Sequence, residues 1–117
     1  MTGNGQKFLK LGSMAETPED FTEHFRDPKV FRTDSGTYFM VTGAQRKSGK
    51  GALALFRSGD ALTWEYSGIP AVTEEYEMIE CPDLFQLDGT YVLLYCPQKR
   101  DNEKDADISS FSAVKTV

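Results

Sequence analysis

Apolar positions along this chain show almost no helical period, and they gather instead into short runs of aromatic and β-branched residues between turn clusters. Lys29-Val30-Phe31-Arg32 ends at the turn cluster Asp34-Ser35-Gly36. Thr37-Tyr38-Phe39-Met40-Val41-Thr42-Gly43 follows, a strand composition. Arg46-Lys47-Ser48-Gly49-Lys50-Gly51 turns the chain into Ala52-Leu53-Ala54-Leu55-Phe56-Arg57, and Ser58-Gly59-Asp60 turns it again into Thr63-Trp64-Glu65-Tyr66-Ser67. This pattern predicts a four-stranded antiparallel meander. Pro18 to Phe25, with Thr17 as a cap, reads as loop or a single helical turn.

The chain then repeats itself. Asp27-Pro28-Lys29-Val30-Phe31-Arg32-Thr33-Asp34 lies over Cys81-Pro82-Asp83-Leu84-Phe85-Gln86-Leu87-Asp88 at an offset of 54. Gly36-Thr37-Tyr38-Phe39-Met40-Val41 lies over Gly89-Thr90-Tyr91-Val92-Leu93-Leu94 at an offset of 53, and Gln45 and Gln98 close the two copies. A repeat of about 50 residues, each copy a meander, predicts β-propeller blades. A β-sandwich with two similar hairpins is the alternative. The expected fold class is all-β, a partial propeller of one full blade plus half of the next. Residues 1–25 are assigned to a preceding blade or connection, with Lys7 to Leu11 as its outer strand. Residues 26–79 form one blade, 80–98 the inner strands of the next, and 99–117 a polar tail. A propeller closes with about four to eight blades, so the chain is expected to be a fragment with open blade edges prone to self-association.

Composition narrows the function. Thirteen Lys and Arg against eighteen Asp and Glu give a net charge of −5 over 117 residues. No basic face for nucleic acid or an anionic membrane is therefore expected. No apolar run approaches a membrane span, and no secretory signal is visible, so a cytoplasmic protein is expected. Two cysteines, Cys81 and Cys96, do not make a disulfide framework and read as buried thiols. The lone histidine, His24, cannot build a metal cluster, and a structural or substrate-rim role is expected of it; no metal or organic cofactor is implied. Trp64 reads as packing, Gly49-Lys50-Gly51 as a hairpin turn, and Arg46, Lys47 and Lys50 as a local basic turn.

In a propeller the start of each innermost strand faces the central funnel. Arg26-Asp27 and Glu80-Cys81 hold that place in the two copies, which directs two carboxylates, Asp27 and Glu80, at one funnel. Paired carboxyls of unlike environment are what glycosidic cleavage requires, and spacing alone would make Asp27 the nucleophile partner of Glu80. The plain alternative is a turn residue before Pro28 and a solvated surface glutamate.

These residues also resemble a known family. Glu23-His24-Phe25-Arg26-Asp27-Pro28-Lys29-Val30-Phe31 is similar to the Arg-Asp-Pro motif of the invertase-like glycoside hydrolases of family 32. Met78-Ile79-Glu80-Cys81-Pro82-Asp83-Leu84-Phe85 is similar to the same family's Glu-Cys motif, and Ala54 to Glu65 to its blade connection. The resemblance implies a five-bladed catalytic propeller and a retaining β-fructofuranosidase acting on sucrose, sucrose-6-phosphate or fructan. It implies that Glu80 is the general acid/base, that Asp27 binds fructosyl hydroxyls and stabilises the transition state, and that Arg26 binds sugar. It gives Cys81 a supporting role beside the acid/base. The family's nucleophile lies in an Asn-Asp-Pro-Asn motif that these 117 residues do not contain, so the isolated chain is expected to be inactive. A related five-bladed arabinan- or xylan-cleaving hydrolase, and a non-catalytic sugar-binding or interaction piece, are the rival readings.

Overall fold

The computed structural model describes residues 2–3, 7–98 and 115–116, all strand or connecting loop. Nine strands occur in it: β1 (Thr2–Gly3), β2 (Phe8–Leu9), β3 (Phe21–Arg32), β4 (Tyr38–Arg46), β5 (Gly51–Ser58), β6 (Glu65–Val72), β7 (Met78–Leu87), β8 (Thr90–Gln98) and β9 (Lys115–Thr116). Strands β3-β4-β5-β6 form one antiparallel sheet in sequence order, and β7-β8-β9 form a second. Two consecutive blade-type meanders therefore follow one another, as the repeat predicts.

Four boundaries differ from the sequence reading, the simplest being β6, which starts at Glu65 and runs on to Val72 instead of spanning Thr63 to Ser67. Pro18 to Phe25 is not a loop or helical turn throughout: a tight turn, with Phe21 N donating to Pro18 O at 3.1 Å, leads straight into β3. Phe21 and Phe25 pair with Arg46 and Ala44, and burial of the Phe21 ring overrides the polar stretch Thr22-Glu23-His24 between them. The Lys7–Leu11 segment contributes only β2, which pairs with β1 as a separate two-stranded sheet. The polar tail is not wholly without strand, because Lys115 and Thr116 pair with Leu93 and Val92. The rest of that tail, 99–114 and 117, lies outside the described residues.

The hairpins show why the turns fall where they do. Asp88 and Gly89 both take positive φ, 47° and 78°, between the paired residues Leu87 and Thr90. That is the two-residue mirror-image turn whose twist matches the flanking strands. In the β5–β6 connection, Asp60 Oδ1 accepts from the amides of Leu62 and Thr63 at 2.8 Å each and from Ser58 Oγ at 3.0 Å. These donors hold the Asp60 carboxyl below its ordinary range.

The sheets pack face to face. Val41, Leu53 and Ala71 of the first sheet meet Ile79, Leu84 and Leu93 of the second in one buried cluster. On the opposite face of the first sheet, Phe21, Ala44, Ala52, Ala54 and Phe56 form another, flanked by Trp64, which packs as expected. Two glycines set the spacing between the sheets. A Cβ on Gly43 would lie 2.3 Å from Ile79 O, and one on Gly51 would lie 2.8 Å from the Met78 carbonyl carbon. The start of β7 thus rests backbone to backbone on β4 and β5, which carries Glu80 to the side of β3.

Candidate active site

Each inner strand carries the same irregularity at the same place. Opposite β4, the pairing steps from Arg26–Gly43 to Lys29–Val41, so Asp27 and Pro28 face a single residue. Opposite β8 it steps from Glu80–Cys96 to Asp83–Leu94, so Cys81 and Pro82 do the same. These are β-bulges, and proline is tolerated there because a bulged residue gives up its ladder hydrogen bond in any case. The first residue of each bulge has positive φ, 56° at Asp27 and 46° at Cys81. Aspartate tolerates the left-handed region better than most residues, and cysteine has no such preference. The bulge re-aims both side chains off the regular alternation of the strand.

The two bulges lie side by side, and matching residues touch. Cys81 N donates to Asp27 Oδ2 at 3.1 Å, and Cys81 Sγ lies 3.7 Å from the same oxygen. Arg26 Nη2 meets Glu80 Oε1 at 2.9 Å, and Lys29 Nζ meets Asp83 Oδ1 at 3.7 Å. All three residue pairs lie 54 positions apart, the offset of the repeat. The Glu80 side chain is 19% exposed, against 45% for Arg26, so the carboxylate is the more enclosed partner of the pair. Asp27, Arg26 and Glu80 are thereby gathered at one end of the two sheets, with Asp27 hydrogen-bonded to the residue that follows Glu80.

Cys81 corrects the expectation of a buried thiol. It is exposed, because the bulge turns it away from the core, whereas Cys96 within β8 is half-buried. Partial desolvation and the neighbouring Asp27 carboxylate push the Cys81 thiol above its ordinary range. His24 is half-buried on β3, its amide donating a hydrogen bond to Thr22 Oγ1 at 3.2 Å. Lys50 of the basic turn donates to Glu74 O at 2.6 Å, and Gly49 closes that turn with φ of 84°.

Sequence reasoning missed one participant. Gln98 Nε2 donates to Glu80 Oε2, so both oxygens of this carboxylate have partners. Glu80 faces Cys96 across the sheet, and Gln98 lies two residues further on the same face, within diagonal reach. The sole signal in the sequence was the pairing of Gln98 with Gln45 in the repeat. Gln45 does something else: its Nε2 donates to Glu77 O at 2.8 Å, tying the first sheet to the start of β7. Among the described residues, no group of three or more His, Cys, Asp or Glu is arranged to hold a metal ion.

Comparison with known proteins fits this geometry. The chain is 40% identical over 104 residues to a sucrose-6-phosphate hydrolase of Bacillus subtilis (strain 168), covering 84% of this chain and 22% of that enzyme. It is 38% identical over 113 residues to a sucrose-6-phosphate hydrolase of Klebsiella pneumoniae, covering 92% of this chain and 24% of that enzyme. The fold is similar to that of a sucrose-6-phosphate hydrolase from Lactobacillus gasseri, with a TM-score of 0.66 and 37% identity over 74% of this chain and 18% of that one. It is also similar to a Bombyx mori GH32 beta-fructofuranosidase, with a TM-score of 0.68 and 28% identity over 86% of this chain and 22% of that one. The chain thus spans less than a quarter of the length of these relatives. Residues 1–115 match the family model described as Glycosyl hydrolases family 32 N-terminal domain, and with both bulged motifs in place the chain belongs to that family.

Proposed function

We propose that the whole protein is a retaining β-fructofuranosidase that hydrolyses sucrose or sucrose-6-phosphate, with Glu80 as general acid/base and Asp27 as transition-state stabiliser. The observation that carries the reading is the pair of equivalent bulges that bring Arg26, Asp27 and Glu80 together. Support comes also from the relatives named above, which are sucrose-6-phosphate hydrolases and a beta-fructofuranosidase.

In this reading a carboxylate from elsewhere in the whole protein attacks the anomeric carbon while Glu80 gives its proton to the departing glucosyl oxygen. Glu80 then removes a proton from the water that releases fructose. Asp27, beside the acid/base on the neighbouring bulge, accepts hydrogen bonds from fructosyl hydroxyls as positive charge develops on the ring. Arg26 offers a fork of donors to the sugar and offsets the negative charge of Asp27 and Glu80. A cytoplasmic location belongs to the same proposal and is compatible with both cysteines being free thiols.

The test is replacement of Glu80 in the whole protein. Glu80→Gln is expected to lower kcat on sucrose by about 10²–10⁴-fold, the usual worth of a positioned acid/base. Asp27→Asn is expected to lower kcat with little change in KM. A Glu80→Gln variant that hydrolyses sucrose at the unaltered rate would remove Glu80 from the mechanism. Unaltered protein that cleaves neither sucrose nor its 6-phosphate would overturn the reading itself.

A further inference from the structure

Glu80 is held at two points by groups of different character. Arg26 takes Oε1 as an ion pair at 2.9 Å, and Gln98 takes Oε2 as a hydrogen bond from an uncharged amide. An ion pair to one oxygen leaves the carboxyl free to rotate about its last bond, a torsion with a broad and shallow preference. A second donor on the other oxygen fixes the plane of the group. Gln98 is well anchored for this purpose, since it pairs with Met78 across the sheet and its carbonyl accepts from Glu77 N at 3.0 Å.

We propose that Gln98 is a positioning residue for the acid/base, holding the Glu80 carboxyl in both of its protonation states. This inference rests on the assignment of Glu80 made under Proposed function. A general acid/base alternates between carboxylate and carboxylic acid in every turnover. A carboxylate needs donors, whereas a carboxylic acid needs an acceptor or a donor that does not oppose protonation. A primary amide serves both, because it carries NH2 donors and a carbonyl acceptor on one planar group and exchanges them by a half-turn. A lysine or arginine at position 98 would offer donors only, with a second full positive charge, and would favour the carboxylate. The equivalent glutamine of the first sheet, Gln45, spends its amide on a backbone carbonyl and a threonine hydroxyl. The partner of Gln98 is therefore particular to the second bulge and not a feature that both sheets need in order to pack.

The proton ledger for the step is simple. On bond cleavage the Glu80 proton passes to the glucosyl oxygen, the C–O bond electrons leave with that oxygen, and Glu80 becomes a carboxylate that Gln98 holds by donating Nε2–H. When water attacks the anomeric carbon of the fructosyl intermediate, the bond to the nucleophilic carboxylate breaks, that carboxylate leaves with the bond electrons, and the proton of the water passes to Glu80.

The experiment compares Gln98→Leu and Gln98→Lys with the unaltered whole protein, measuring kcat/KM on sucrose and on p-nitrophenyl β-fructofuranoside. The nitrophenolate leaves without a proton, so its departure does not depend on how the acid is held. Gln98→Leu is expected to lower kcat/KM on sucrose about tenfold, a part of the full worth of general acid catalysis, and on the aryl fructoside by less than twofold. Gln98→Lys is expected to move the alkaline limb of the sucrose kcat/KM profile to lower pH, because added positive charge opposes protonation of Glu80. Equal losses on both substrates, or no loss on either, would overturn the inference, and so would a Gln98→Lys profile that does not move. Failure of the unaltered protein to cleave either fructoside would instead overturn the fructofuranosidase reading, and a fully active Glu80→Gln variant would refute the assignment of Glu80. Thermal unfolding of each variant separates lost positioning from lost fold, and the expected change in Tm is small because Gln98 is exposed at a strand end.

Discussion

Asp27 and Cys81 have the same backbone geometry and need it for different ends. At φ of 46°, Cys81 sits where a side chain branched at Cβ is strongly disfavoured. Cys81 already bears the left-handed region at a cost of about 1–2 kcal/mol, and Cys81→Val is expected to destabilise the folded chain further because branching at Cβ crowds that conformation. Cys81→Gly should cost far less, and paired urea titrations would show the difference. The thiol supplies a second check. Partial desolvation and the Asp27 carboxylate raise its pKa above the ordinary value, so less thiolate is present at pH 8 than for a free cysteine. Alkylation by iodoacetamide at that pH should therefore be slow, and Asp27→Asn should accelerate it by removing the neighbouring negative charge. Equal rates in the two proteins would mean that Asp27 does not govern the thiol. Asp27 and Glu80 could be read from the sequence because the repeat aligned their neighbourhoods. The exposure of Cys81 could not, since a bulge is visible only in the pairing of two strands and cysteine is no marker for positive φ.

At the scale of strands, β4, β5 and the β7–β8 hairpin were legible because aromatic and β-branched runs stop at glycine-rich turns. The first half of β3 was not, because Thr22-Glu23-His24 carries no apolar alternation and the strand there is held by the pairing of Phe21 and Phe25 with β4. The contact of Gln98 with Glu80 was hidden for a related reason: residues 18 apart are neighbours only once the hairpin register is known. Gly43 shows the same limit from the other side. In the sequence it closes a strand, and in the structure it is where β7 meets β4, with Ile79 O occupying the space of its missing Cβ. Gly43→Ala is expected to cost about 1–3 kcal/mol through overpacking. Moving β7 outward should also part Glu80 from Arg26. Paired measurements of Tm and of sucrose turnover in the whole protein would show both losses together, whereas Gly49→Ala, in an open turn, should lose stability without the same loss of kcat.

For the whole molecule, the prediction is inactivity in isolation. The 117 residues hold Glu80 and Asp27, the proposed acid/base and stabiliser, but lack the nucleophile motif the family resemblance calls for. The purified chain should release no glucose from sucrose above a Glu80→Gln control, and measurable release would show that the attack can proceed from these two sheets. Among the described residues, the end strands of the first sheet, β3 and β6, have a ladder neighbour on one side only, so sedimentation should show association at micromolar concentration. A compact monomer would contradict this.

How such sheets know their neighbours is answered by the paired bulges. Positions 26 and 29 carry Arg and Lys in the first sheet, and their counterparts 80 and 83 carry Glu and Asp in the second. A first sheet laid against another copy of itself would set Arg26 against Arg26 and Lys29 against Lys29; two second sheets would oppose acid with acid. Only a first sheet beside a second brings unlike signs together. A duplicated unit has thus become keyed, cation to anion, and the side chains of the proposed site also select an unlike sheet as neighbour over a second copy of the same one.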